Sequence, residues 1–210
     1  MKIFVLNLAH NTERREYMEK ILAPLSIEYE FFPAVYGKAL KNIEDVYDAA
    51  LAQKRIKRQL NSGEIGCAAS HRAIYKKMID ENISQALILE DDIHILPAFF
   101  EVYTALSNVH IGNKVVLLGT TATKPMKKLW KKKLWNNYAM YLVLNNYGGT
   151  YGYVIGLEAA KKIYFHHEKV FIQADNWKYY RRLSPIWLVS PSIVAAEELF
   201  PSEIGDELRH

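Results

Sequence analysis

Four short apolar runs, set apart by stretches long enough for helices, limit what this chain can fold into. The runs are KIFVLNL (residues 2–8), EYEFFPAV (28–35), ALIL (86–89) and VVLL (115–118). Each has the length of a strand, and the Val, Ile, Phe and Tyr in them suit a pleated, packed surface. Thr12 is placed to cap a helix running to about Leu22. Residues 41–60 read as helical and polar, Asn61-Ser62-Gly63 as a turn, and 64–80 as a further helix with Asn61 and Glu64 at capping-box spacing. Strand and helix in alternation predict parallel strands covered by helices. In such sheets a ligand lies outside the C-terminal strand ends, here Asn7-Leu8, Val35-Tyr36, Glu90 to Asp92 and Gly119-Thr120.

The second half is less regular. Residues 138–144 and 153–156 read as strands and 157–164 as a helix, while YGGTYG (147–152) is a turn cluster. The tail, with Pro185, Pro191 and Pro201, reads as mostly loop. There is no repeat and no low-complexity linker, and 210 residues suit a single domain with a full core. Cys67 is the only cysteine, which rules out an intramolecular disulfide and suits a reducing compartment. The first apolar run is too short for a signal-peptide core, and no run of 18 apolar residues offers a membrane span.

The chemistry concentrates in a few places. In ALILEDDIHI (86–95) three carboxylates, Glu90, Asp91 and Asp92, follow an apolar strand. If the strand continued, Glu90 and Asp92 would point one way and Asp91 the other. Two acids on one side repel unless a cation lies between them, and a hard divalent ion such as Mg2+ or Mn2+ takes such oxygens along with phosphates. Solvated acids at a strand end are the plain alternative. Arg14 and Arg15 fall in the first turn of a helix, where a bound phosphate would relieve their conflict with the helix dipole. Glu13, Glu16 and Glu19 could equally balance them in solvent.

In GEIGCAASHRAIYKKM (63–78) Glu64 and His71 share a helix face, and Cys67 reads as a small buried hydrophobe. KPMKKLWKKKLW (124–135) interleaves six lysines with two tryptophans, which suits an anionic membrane surface or an acidic glycolipid headgroup. Gly148, Gly149 and Gly152 leave room for a flat ligand, with Tyr151 and Tyr153 as stacking faces. Asp175 follows the apolar run VFIQA, which reads as another strand end, and can serve either as a base for a hydroxyl nucleophile or, with Asn176, as an Asx turn or helix cap.

NLAHNTERR (7–15), FFPAVYG (31–37), GEIGCAASH (63–71), ALILEDD (86–92), GTYGYVIGLEAAKKI (149–163) and AD (174–175) occur in this order along most of the chain. Together they resemble glycosyltransferase family 25, the bacterial lipooligosaccharide galactosyltransferase family related to collagen galactosyltransferases. GEIGCAASH followed by ILEDD is the specific pairing.

The resemblance implies a GT-A-like, Rossmann-type α/β single domain with a mostly parallel central sheet flanked by helices. Residues 1–120 would form the nucleotide-sugar half and 121–210 the acceptor half. It implies Asp92 and Glu90 as ligands of Mn2+ or Mg2+, and Asn7, Leu8, Arg14, Val35, Ser70, His71, Glu90 and Asp91 at the donor. It makes Asp175 the base. Lys127, Lys128, Trp130, Trp135, Tyr151 and Tyr153 would face acceptor or membrane. The expected reaction is inverting transfer of a hexose, galactose from UDP-galactose, to a hydroxyl of lipooligosaccharide at the cytoplasmic face of the inner membrane. The expected partners are a UDP-sugar, a glycolipid acceptor and an anionic surface, not nucleic acid. Strand-end acids would also serve a metal-dependent nucleotidyltransferase, and the lysine-rich segment a non-catalytic membrane- or polysaccharide-binding module.

Overall fold

The computed structural model describes residues 1–120, 128–144, 147–196 and 200. In chain order the elements of its first half are β1 (Lys2–Asn7), α1 (Thr12–Leu22), β2 (Glu30–Pro33), α2 (Ala49–Ile56), α3 (Ser62–Asp80), β3 (Gln85–Glu90), β4 (Ile93–Ile95), α4 (Phe99–Ser107) and β5 (Val115–Leu117). They are followed by β6 (Lys128–Trp135), β7 (Tyr138–Val143), β8 (Gly152–Gly156), α5 (Leu157–His166), α6 (Trp177–Tyr180), β9 (Ile186–Ser190) and β10 (Val194–Ala196).

Five consecutive buried residues in β1 require cover on both faces. Phe4, Leu6 and Ile88 face one layer, where Ile74 and Met78 of α3 and Ala160 and Ile163 of α5 pack. Ile3, Val5, Leu87 and Leu89 face the other, where Met18 and Leu22 of α1 and Phe99, Val102 and Leu106 of α4 close the core. The sheet is therefore the middle of three layers.

Its eight strands run in the order β2-β1-β3-β8-β5-β9-β7-β6. All except β8 and β7 point the same way, so the sheet is mostly parallel in direction. Residues 152–156 of the second half enter between β3 and β5 of the first and run antiparallel to both. β4 and β10 form a separate antiparallel pair. No helix among the described residues is long and apolar enough to cross a membrane.

Several local expectations change. Residues 41–60 hold a 3-10 turn at Ile43–Asp45 and one short α-helix, α2, which Asp48 caps by accepting from the Leu51 N–H and which Lys57 ends by turning left-handed (φ 62°). α1 spans the expected residues, but Asn11 rather than Thr12 stands at the cap position. The capping box of Asn61 and Glu64 forms as its spacing predicts. The tail is not all loop. Ile186–Ser190 is buried inside the sheet, with Pro185 and Pro191 just outside it where a missing N–H breaks no ladder bond. VFIQA is not a strand end; Val170 makes only an isolated bridge to Tyr47.

Candidate active site

The C-terminal ends of β1, β2 and β3 converge on a cavity of about 120 Å³, closed on one side by the first turns of α3. Leu8, Arg14, Val35, Ser70, His71, Glu90, Asp91 and Asp92 all line it. Asn7 stands behind them. Its side-chain amide donates to Asp91 Oδ2 (2.8 Å) and to the Asn11 carbonyl (3.1 Å). Ser70 works as a tie: its hydroxyl donates to the Gly66 carbonyl (2.7 Å) and accepts from the Val35 N–H (2.8 Å), locking α3 to the chain after β2.

That junction depends on glycine. A Cβ on Gly66 would stand 2.6 Å from the Val35 carbonyl oxygen and 2.7 Å from the Gly37 nitrogen, both backbone atoms that cannot yield cheaply. Gly66→Ala is expected to cost about 2 kcal/mol by overpacking and to weaken binding of any ligand in the cavity. Urea denaturation and UDP titration of the variant check both effects.

The acid cluster is arranged differently from strand alternation. β3 ends at Glu90 and the chain bends through Asp91 and Asp92, so the two-residue period ends too. Asp91 and Asp92 share one cation: Arg14 Nη1 donates to Asp91 Oδ1 (2.9 Å) and Asp92 Oδ2 (3.0 Å). Glu90 turns elsewhere, accepting from the Thr150 hydroxyl and lying 3.6 Å from His71 Nε2. The alternation that paired Glu90 with Asp92 and set Asp91 aside is thus corrected, although all three acids face one cavity.

Arg14 is buried, with Phe200 5.4 Å from its guanidinium, and its charge is directed at carboxylates. Arg15 is the solvated one, paired with Glu19 (3.2 Å) and lying over Phe31 (4.1 Å).

Three carboxylates around one guanidinium leave excess negative charge. Burial, reinforced by the neighbouring charges of Glu90 and Asp91, pushes the Asp92 carboxyl up to about 6 against the pull of Arg14. Asp91 is also raised, by burial, despite its bonds to Arg14 and Asn7. Crowded, desolvated oxygens of this kind suit a hard divalent cation, so the donor set fits Mg2+ or Mn2+.

Asp175 is outside the cavity lining. Its Oδ2 accepts from the Gly149 N–H (3.1 Å), and the Trp177 indole donates to the Gly149 carbonyl (3.0 Å), so the two loops brace each other. The turn chemistry falls to Asn176, whose side chain accepts from the Tyr179 N–H and caps α6. Asp175 still belongs to the same electrostatic basin: burial raises the Tyr151 hydroxyl, and the charges of Glu90, Asp92 and Asp175 raise it further.

The residues expected at the acceptor separate. Tyr151 is half-buried beside the acids, but Tyr153 cannot offer a stacking face. It is fully buried, its hydroxyl 2.8 Å from His71 Nδ1 and 2.7 Å from the Tyr75 hydroxyl. β8 is a central strand, and a Cβ on Gly152 would meet Leu89 at 2.9 Å, so that glycine serves packing rather than a ligand. Trp130 is 73% exposed on edge strand β6, with Lys131, Lys132 and Lys133 exposed beside it. Trp135 is half-buried against the core with Tyr138. Lys127 and the side chain of Lys128 lie outside the described residues.

Sequence reasoning missed Lys38, which lines the cavity, and Thr150, which holds Glu90 from 60 positions away. Lys38 sits in the matched FFPAVYG region's shadow, one residue past its end; Thr150 is hidden in a turn cluster read for its glycines.

In open α/β sheets ligands bind outside the C-terminal strand ends, and that is where this three-layer chain places its acids and its buried arginine. The family model "Glycosyltransferase family 25 (LPS biosynthesis protein)" matches residues 1–177. A glycosyltransferase 25 family member of Anopheles gambiae is 37% identical over 172 residues, covering 77% of this chain and 28% of the relative. Human procollagen galactosyltransferase 2 is 30% identical over 179 residues, covering 77% of this chain and 27% of that protein. The chain belongs to glycosyltransferase family 25, and spans little more than a quarter of either relative. A solved glycosyltransferase involved in glycosylation of the major capsid of PBCV-1 is 10% identical, covering 78% of this chain and 64% of that one, with a TM-score of 0.37.

Proposed function

We propose that this chain is an inverting hexosyltransferase that moves galactose from UDP-galactose to a sugar hydroxyl of lipooligosaccharide or lipopolysaccharide. The observation that carries the reading is the acid cluster of Glu90, Asp91 and Asp92 facing one cavity at the strand ends, in a chain of glycosyltransferase family 25. Galactose is supported by the name of the human relative and the saccharide acceptor by the family description.

Ligand sites for whole small molecules usually exceed about 300 Å³. A cavity of about 120 Å³ therefore takes one part of a nucleotide sugar, and the rest extends past its mouth. Leu8 and Val35 supply apolar walls for the nucleoside, and Lys38 at the rim meets the diphosphate. Asn7 and Arg14 hold Asp91 toward the ribose or sugar.

Asp175 takes the proton of the acceptor hydroxyl. The acceptor oxygen bonds to the anomeric carbon from the face opposite UDP, the bond from that carbon to the diphosphate oxygen breaks, and UDP leaves with the electron pair. A divalent ion on Asp92, beside Asp91, would offset the charge that develops on the departing diphosphate.

Lys131 to Lys133 and Trp130 on β6 hold the protein against an anionic membrane surface carrying the acceptor. Charge reversal at Lys131, Lys132 and Lys133 is expected to cut sedimentation with phosphatidylglycerol vesicles at least tenfold while leaving UDP affinity unchanged.

The direct test is UDP release from UDP-galactose with a lactosyl or glucosyl acceptor. Acceptor-dependent UDP, lost in Asp175→Asn while UDP binding persists, is the expected result. Pyrophosphate from a nucleoside triphosphate would instead select the nucleotidyltransferase alternative.

A further inference from the structure

We propose that Cys67, His71 and Glu90 form a binding site for one borderline-soft divalent cation, Zn2+ by the chemistry of its donors, in the cavity wall beside the Asp91–Asp92 pair. Cys67 and His71 are four residues apart on α3, so they project from one helix face one turn apart, and Glu90 reaches them from the end of β3. One ligand atom from each lies within 4.8 Å of the others. His71 Nε2 and Glu90 Oε1 are already 3.6 Å apart, close to the spacing of two ligands about 2.0–2.1 Å from a tetrahedral ion.

A second observation points to a ligand. His71 is 1% exposed, and its Nε2 has no hydrogen-bond partner among the described residues. The distance to Glu90 is too long for a hydrogen bond, and a buried ring nitrogen left unpaired is unfavourable. The other ring nitrogen is fixed: Nδ1 lies 2.8 Å from the Tyr153 hydroxyl, itself 2.7 Å from the Tyr75 hydroxyl, all buried. A ligating histidine is held in this way, its second nitrogen bonded to an outer partner that sets ring and tautomer. With Nδ1–H donating to Tyr153, the Nε2 lone pair is left for an ion on the Glu90 side, where Cys67 joins the same cluster.

The donor set separates this site from the acid pair. A thiolate, an imidazole and one carboxylate favour Zn2+ over Mg2+ or Mn2+, whereas Asp91 and Asp92 offer only hard oxygens. All three ligands line the cavity, which leaves a fourth position for water or a ligand oxygen. On binding, the Cys67 thiol proton passes to solvent and sulfur joins the ion as thiolate.

Co2+ tests this without any turnover, so the outcome is independent of the transferase reading. Titration of the whole chain in excess Mg2+, which fills the Asp91–Asp92 pair, is expected to saturate at one equivalent with a thiolate-to-cobalt charge-transfer band in the near ultraviolet, displaced by Zn2+ and not by Mg2+. Cys67→Ser should abolish the band, and His71→Gln should weaken cobalt affinity at least tenfold with the band still reachable at saturation. Far-ultraviolet circular dichroism verifies that each variant folds; if Cys67→Ser does not, His71→Gln decides. Cobalt bound without the band, no cobalt bound, a band that survives Cys67→Ser, or unchanged affinity in His71→Gln would overturn the proposal.

Discussion

Arg14→Met is expected to lose about 3–5 kcal/mol of folding stability at neutral pH, the usual cost of stranding a buried charge. Arg14 is the cation shared by Asp91 and Asp92, its bonds to them are 3.0 Å or shorter, and its side chain is 9% exposed. Methionine keeps most of the volume and removes the charge, leaving two carboxylates crowded against Glu90. The loss should shrink as the pH falls and those acids protonate. Adding Asp91→Asn to the variant should recover part of it, because one of the two stranded charges is then gone. Urea denaturation at pH 7 and pH 5 measures all three effects, and a loss below about 1 kcal/mol would mean that the pair is only a surface contact.

Asp92→Asn should do the opposite to stability and still abolish turnover. The Asp92 carboxyl titrates at about 6 in the fold, against about 4 in an unfolded chain. The native state therefore holds the proton more tightly, and this group subtracts stability as the pH rises from about 4 to about 6. Asparagine keeps the neutral form throughout. The variant should match the parent near pH 4 and exceed it by about 2–3 kcal/mol at pH 7. For a chain of this size that is roughly 5–10 °C in Tm. If Asp92 also holds a catalytic cation, UDP-galactose turnover should fall by about two to three orders of magnitude. A residue that weakens the fold and sustains the reaction is the signature of a functional carboxylate. Equal stability of the two proteins across the whole pH range would remove that argument.

The parts of this molecule legible in the sequence are those set by local pattern. β1, α1, α3 and β3 follow from apolar runs and from the Asn61–Glu64 capping box. The cavity's position follows from where those strands end. What escaped depends on neighbours distant in the chain. Glu90 and the Asp91–Asp92 pair were separated by a bend that strand alternation does not foresee. Arg14 meets acids 77 and 78 positions away. Tyr153 read as a ligand face because its strand's place in the middle of the sheet is a matter of topology. β9 was hidden by flanking prolines that mark a loop locally yet lie just outside the ladder.

The measurement closest to the central claim is thermal unfolding of the intact chain with a panel of UDP- and other nucleotide sugars, with and without Mn2+. A ligand that binds only the native state raises stability by about 2.7 kcal/mol at a hundred times its Kd. The expected result is a rise in Tm with UDP-galactose and with UDP that grows when Mn2+ is present and is lost in Gly66→Ala. No shift with any UDP-sugar, with or without the metal, would contradict the assignment of this cavity as a nucleotide-sugar site.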